Sequence, residues 1–409
     1  MKSIEIDSVS FYKKRNVLFI CCLLLLSIID SGKYLGSNFF APTYTIWLLE
    51  FCFLSFFFIY PAFKCFKYRK ELKCVSLFVS YIIIWFLYSL LQTHGRSELL
   101  FILHAFPATI LCMIIYNVCP TYLSLFYTHK IYYSFTILFL LLLPFWQLYE
   151  GCGYLMGLFL LPILFWTEYP FFKKILLLGL AIVIILIGYW TAARSQCIKY
   201  GVMLLAGFIL CYFRTGFLKV YKLIGCLLLL MPFVLFYMAI YSGFNVFELD
   251  KYLSNSNKEV VADTRTIVYT EALNSAVDNN SIFIGRGFHH GYDSFFQWKR
   301  EGCIGEDGSL ERLSEAQILN YFTQGGILFV LLYFILCVQC FIKSFSARND
   351  YVKMIGVLVC FIWFYSWVEF CLQVNITTLC LWFFYGICLS PEFRNMNNIE
   401  FKGYIKKAL

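Results

Sequence analysis

Charge is what this 409-residue sequence has least of: only 14% of its residues are Asp, Glu, Lys or Arg, against about 25% in an average soluble domain. So little charge leaves almost no surface to show water, which excludes an ordinary soluble globule. Alternation of apolar and polar residues is also missing from the apolar stretches, which run continuously. A membrane β-barrel needs that alternation, so it is excluded too. No internal repeat, low-complexity tail or appended soluble domain is visible, and no Asp-x-Asp pair stands in an accessible loop. The first apolar run, 17–29, follows Lys13, Lys14 and Arg15 without a convincing small-x-small cleavage site, and is read as a retained first span.

What is there is apolar. Hydrophobic residues make up 61% of the chain and aromatics 21%, and the mean hydropathy is +0.74. Runs of about 20 apolar residues recur, each long enough to cross a hydrocarbon core of about 30 Å as a helix. Backbone polar groups must be satisfied internally in lipid, so continuous runs of this kind form helices. The expected spans are 17–36, 44–63, 74–92, 99–119, 131–149, 152–168, 174–191, 196–213, 220–241, 318–342, 352–370 and 372–390. Most of the 18 cysteines, among them Cys112, Cys226, Cys337, Cys340 and Cys360, lie inside these runs; only Cys303 sits well inside a polar segment. Buried cysteine behaves as a small hydrophobe, so neither a disulfide scaffold nor a metal site is expected.

A net charge of +9 would suggest a nucleic-acid partner in a soluble protein; here its placement matters more. Lys64, Lys67, Arg69, Lys70, Lys73, Lys130, Lys173, Lys174, Arg214, Lys219, Lys222, Lys343, Arg348, Lys353, Arg394, Lys402, Lys406 and Lys407 fall on one side of the alternating spans, with the N-terminal Lys13, Lys14 and Arg15. The opposite short loops hold only Lys33, Arg96, Arg194 and Lys199. Basic short loops stay in the cytoplasm, which places both termini there. The expected organisation is an all-α polytopic membrane protein of about twelve helices: an N-terminal membrane region 1–241 with about nine of them, a large extracytoplasmic loop 242–317, and C-terminal helices with a cytoplasmic tail, 318–409. Within the loop, Ile267, Val268, Ala272 and Ala276 are spaced for a helix over 263–277, capped by Asp263 and stopped at Asn279-Asn280.

Three polar groups carry candidate chemistry. Arg194, in Trp190-Thr191-Ala192-Ala193-Arg194-Ser195, lies in a short outer hairpin. It is either a snorkelling loop residue or an anion clamp, since a guanidinium pairs bidentately with phosphate. In the long loop, Arg265 opens the expected helix, where a solvated charge is unremarkable, and Gly285-Arg286-Gly287-Phe288-His289-His290 follows. Glycines let backbone approach a ligand closely, whereas adjacent histidines are more often surface residues than ligands. Glu315 stands where the loop meets the next span, in Ser314-Glu315-Ala316-Gln317. It reads equally as an acid on a helix dipole or as a partly desolvated general base.

Taken together, these elements resemble the O-antigen polymerase and ligase superfamily (Wzy-type polymerases and their ligase relatives). A Thr-x-x-Arg-Ser element ends a span, and an Arg-bearing loop helix follows two spans later. After it come Gly-x-Gly-Phe and a polar residue about eleven positions before Gly-Gly-Ile. The resemblance covers about residues 170–340; the first half matches in hydropathy only. Arg194 falls on the family's Ser-Arg-Gly element with Ala193 and Ser195 in place of its serine and glycine, and Arg265 falls on its loop arginine. Glu315-Ala316 stands where the ligase branch carries His-Asn, which favours the polymerase branch.

The resemblance implies a GT-C-like glycosyltransferase in a bacterial inner membrane. It would join polyprenyl-pyrophosphate-linked oligosaccharide units outside the cytoplasm without metal or cofactor, alongside a flippase and a chain-length regulator. In that scheme Arg194 and Arg265 hold the departing diphosphate and Glu315 takes the acceptor proton; Arg286, Arg96, Thr191, His289 and His290 bind substrate, with either histidine able to replace the base. Trp190, Trp298 and Phe288 would stack on sugar rings, unless they only mark the membrane interface. The competing expectations are a ligase that moves finished glycan to lipid A core or protein, and a lipid-linked oligosaccharide flippase.

Overall fold

The computed structural model describes residues 73–113, 115, 170–190, 216–241, 265–294, 311–314, 316–368 and 376–408, with isolated positions at 52, 166, 201, 204, 205, 207–209 and 212. These residues are mostly helical. In chain order they form α1 (Lys73–Gln92), α2 (Arg96–Ile110, with a 3-10 turn Leu111–Met113), α3 (Phe171–Trp190), α4 (Leu218–Tyr241) and α5 (Arg265–Asp278). A two-residue ladder, β1 (Tyr292–Asp293) with β2 (Glu311–Arg312), precedes α6 (Gln317–Phe345), α7 (Asp350–Tyr365), α8 (Ile376–Leu389), α9 (Pro391–Asn395) and α10 (Asn398–Ala408).

Three of these, α1, α4 and α6, are long and apolar enough to cross a membrane. Helices also stand at the expected spans 99–119, 174–191, 352–370 and 372–390. The spans expected at 17–36, 44–63, 131–149, 152–168 and 196–213 fall wholly or largely outside the described residues. The loop helix expected over 263–277 is α5, and it ends where Asn280 turns to φ 51°. Asparagine tolerates that left-handed conformation better than most side chains do.

α6 is the central element: α1, α4, α7 and α8 all pack on it, and α4 packs along α7. Its inward face buries Phe329, Leu332, Tyr333, Leu336, Cys337 and Cys340. Cys337 and Cys340 make a Cys-x-x-Cys pair, but both are enclosed by helices, and no three His, Cys, Asp or Glu side chains among the described residues are arranged for a metal ion. Aromatic rings fill the spaces between helices: Phe233 on α4 meets Phe334 at 5.2 Å and Trp363 at 5.9 Å, and Tyr333 meets Trp363 at 5.6 Å. Trp363 also donates its indole N–H to the carbonyl of Leu229 at 3.1 Å, one turn before Pro232 interrupts the ladder of α4.

The two ends of the bundle differ. At one end Asn349 caps α7, its Oδ1 accepting from Val352 N–H at 2.8 Å, while its Nδ2 donates to the carbonyls of Phe393 and Met396. Lys343, Arg348, Lys353 and Arg394 gather there. At the other end lie α5, the 281–294 loop and the β1–β2 ladder; the Tyr269 hydroxyl of α5 donates to the carbonyl of Trp367, just after α7.

Candidate functional site

The polar end is built around a break in α6. The sequence reads 318–342 as one uninterrupted span; the structure interrupts it at Gly326, which adopts φ 67° and ψ −170°. In a continuous helix, Ile327 and Leu328 would donate to the carbonyls of Thr323 and Gln324. Here those bonds are exchanged with the 282–287 loop. Ile327 N–H donates to Ile282 O at 2.8 Å and Leu328 N–H to Phe283 O at 3.2 Å, while Arg286 and Gly287 N–H donate to Thr323 O and Gln324 O at 2.8 and 2.9 Å. The Tyr81 hydroxyl covers Gly325 O at 2.7 Å, and the Trp85 indole N–H covers Gln324 O.

Only glycine fits on either side of this clasp. A Cβ on Gly285 would stand 2.4 Å from the Gln324 backbone, and one on Gly326 would stand 2.3 Å from the Phe283 backbone. Both residues also carry positive φ, 71° and 67°. Further along, Phe288 N–H donates to Ser89 Oγ at 2.7 Å, which fixes the loop to α1 as well.

Arg286 leaves the clasp and enters a charged cluster. Its Nη2 donates to Glu311 at 2.6 Å, and its Nη1 donates to Asp293 at 3.1 Å and to the carbonyl of Gly291 at 3.0 Å. Glu311 also pairs with His290 Nδ1 at 2.9 Å, and Asp293 accepts from Ser275 Oγ at 2.8 Å and Asn279 Nδ2 at 2.9 Å. The β1–β2 ladder sets the two carboxylates opposite each other, since Asp293 is the register partner of Glu311. Burial alone would raise the Asp293 pKa, but the bonds from Ser275 and Arg286 hold it below the usual carboxylate range.

His289 lies beneath this layer at 4% exposure, its ring tilted against that of His290 at 4.1 Å, with its Nδ1 buried and unpaired. Desolvation, helped by the neighbouring His290, lowers its pKa to about 4, so it is neutral near pH 7. Glu98, at the start of α2, accepts from His94 N–H at 2.7 Å. That bond, with the fields of His290 and His289, lowers its pKa despite partial burial.

The structure therefore brings together Arg286, His289 and His290, and places Arg96 two residues from Glu98 on the same rim, exposed. Arg286 has both terminal nitrogens engaged with carboxylates, so it organises the loop. Arg265 is the first residue of α5. Thr191, Arg194 and Glu315 lie outside the described residues, although Ser314 and Ala316 are both buried where the chain enters α6. Asn320 closes that entrance, with Oδ1 accepting from Ser314 N–H at 2.7 Å and Nδ2 donating to Ser314 O at 2.9 Å. Sequence reasoning missed Glu98, Asp293 and Glu311. Nothing local marks Asp293 or Glu311, because each acquires its role from a partner on another element, and Glu98 reads locally only as an acid in the first turn of α2.

No protein-family model matches the chain, and neither does any curated protein or solved structure. The described residues define a class: a helical protein with three apolar helices long enough to cross a membrane and a polar cluster assembled at one end of them.

Proposed function

We propose that this protein is a polysaccharide polymerase of the O-antigen or capsule type. It joins polyprenyl-pyrophosphate-linked oligosaccharide units on the outer face of a bacterial inner membrane, with both termini in the cytoplasm. The observation that carries the reading is the clasp. Gly285-Arg286-Gly287 and Gly325-Gly326-Ile327, the two glycine elements of the family resemblance, are about forty residues apart in sequence but packed together in space. Arg286 and Gly287 donate to Thr323 and Gln324, just before the second element, and Ile327 donates to Ile282, just before the first. The polar cluster also sits opposite the basic helix ends, as a site outside the cytoplasm requires.

In this mechanism the acceptor hydroxyl oxygen attacks the anomeric carbon of the donor, the bond from that carbon to the diphosphate breaks, and polyprenyl pyrophosphate leaves. Arg194 and Arg265 stabilise the negative charge that develops on the leaving group, and Glu315 takes the hydroxyl proton. Arg286 holds the loop in register through Asp293 and Glu311, neutral His289 supports that layer from beneath, and His290 faces the acceptor side with Arg96. The reaction draws on a donor that is already activated, so arginine charge suffices.

Expression in a strain lacking its own polymerase tests the reading: the chain should restore a ladder of long glycans, and Arg194→Lys, which keeps the charge but loses the fork, should collapse it to single repeat units. A normal ladder from Arg194→Lys sinks the clamp. Long glycan left on the carrier lipid when the gene is deleted would indicate a ligase instead.

The break in α6 favours a second reading, a lipid-linked oligosaccharide flippase, because transporters coordinate substrates and ions at discontinuous helices. Against it, the carbonyls of Thr323, Gln324 and Gly325 at this break already accept hydrogen bonds from the protein. Movement of labelled lipid-linked sugar across vesicles without chain growth would favour the flippase.

A further inference from the structure

Phe283 and Ile284, at the tip of the clasping loop, expose 75% and 52% of their surface. They continue an apolar stripe on α6 made by Ile327, Leu328, Leu331 and Ile335, exposed by 39–46%. Positions 327, 331 and 335 repeat every four residues, so the stripe runs up the outside of a helix long and apolar enough to cross a membrane.

Two independent rulers give the depth of the tip. Ile327 precedes Lys343 by sixteen residues, about 24 Å at 1.5 Å per residue, which is inside a hydrocarbon core of about 30 Å measured from that basic end. Along α1, Gly325 is level with Tyr81, eleven residues inside Gln92, or about 16 Å. Both place Phe283 and Ile284 below the membrane surface.

Backbone in hydrocarbon is tolerated only where its polar groups are satisfied. The bonds to α6 supply part of that satisfaction at the tip: Ile282 O and Phe283 O accept from α6, Gly285 N–H donates to Ser281 O at 2.8 Å, and Arg286 N–H donates to Thr323 O. The first third of α6, residues 317–326, is wholly buried in protein.

We infer that residues 281–287 form a re-entrant hook whose Phe283 and Ile284 side chains sit among the acyl chains of the bilayer. The hook enters from the polar end of the bundle and returns, so that Arg286, His289 and His290 are held at head-group depth beside Ser89. The partner is the hydrocarbon of the membrane itself, and the inference stands on α6 crossing a bilayer, whatever reaction the protein performs.

Photocrosslinking tests it on the full chain in vesicles of phosphatidylcholine and phosphatidylglycerol with alkyne-tagged acyl chains. A benzophenone amino acid replaces, singly, Phe283, Ile284, Leu331 or the exposed Asn274 of α5. Lipid adducts at 283 and 284 comparable to the one at 331, and lost at 274, are the expected result. Labelling at 331 with none at 283 and 284 overturns the hook. So does capture of protein at 283 and 284, whether another segment of this chain or a second copy, because the tip would then be covered.

Discussion

At the scale of single residues, the glycines of the clasp make the sharpest prediction. Gly285→Ala and Gly326→Ala each push a Cβ into backbone at under 2.5 Å and force an unfavourable φ. Each should cost roughly 2 kcal/mol or more, read as a lower melting temperature and faster proteolysis of the 281–294 loop. Gly403→Ala meets nothing within 4 Å and should melt like the parent.

His289 gives a pH dependence. The unfolded chain takes up its proton near pH 6.5, while the folded state holds it off until about 4. Acid in that window therefore favours unfolding, by at most about 1.4 kcal/mol per pH unit. Thermal melts between pH 7 and 4 should show the loss, and His289→Gln should flatten it. Asp293 and Glu98, whose pKa values are lowered, contribute fully above the ordinary carboxylate range and lose that contribution as pH falls through and below it.

Arg286→Ala removes the cation shared by two partly buried carboxylates and should cost about 2 kcal/mol, and adding Glu311→Gln should recover part of it, read by chemical denaturation of the single and double variants. The sequence marks Arg286 and the two histidines because they stand together between glycines. It does not mark Asp293 or Glu311, whose pairing depends on a ladder of only two residues per strand.

At the scale of elements, α1, α4 and α7 begin within a few residues of where continuous apolar runs put them, and α5 within a few residues of where its apolar spacing puts it. α6 shows where such reasoning stops. Two adjacent glycines weaken a helix by only about 1 kcal/mol each relative to alanine, so the pattern of 318–342 reads as continuous. The break is stable because a loop about forty residues earlier supplies the exchanged backbone bonds, and no local pattern encodes that. The side chains of α1 then finish the accounting. Tyr81→Phe or Trp85→Phe should each cost about 1 kcal/mol. The double variant should lose less or more than the sum, because both side chains serve the same break; a double-mutant cycle from denaturant melts measures the coupling.

At the scale of the whole molecule, two ends of opposite chemistry follow from where the sequence keeps its few charges. The Lys and Arg bias was legible as a basic end, and Lys343, Arg348, Lys353 and Arg394 do gather there. The knot that holds that end was not legible: Asn349 reaches 44 and 47 residues along the chain to Phe393 and Met396. Asn349→Ala removes a helix cap and both of those bonds. The cap alone is worth about 1 kcal/mol, so early release of α9 and α10 in limited proteolysis is expected.

The exchange of backbone bonds between loop and helix has a kinetic consequence. The loop leaves the ribosome first, yet the amides of Arg286 and Gly287 find their acceptors only once Thr323 and Gln324 arrive, and the amides of Ile327 and Leu328 wait on the loop in turn. Neither strand of this exchange is protected alone. In deuterium uptake all four amides should therefore open and close as one unit, at a single rate.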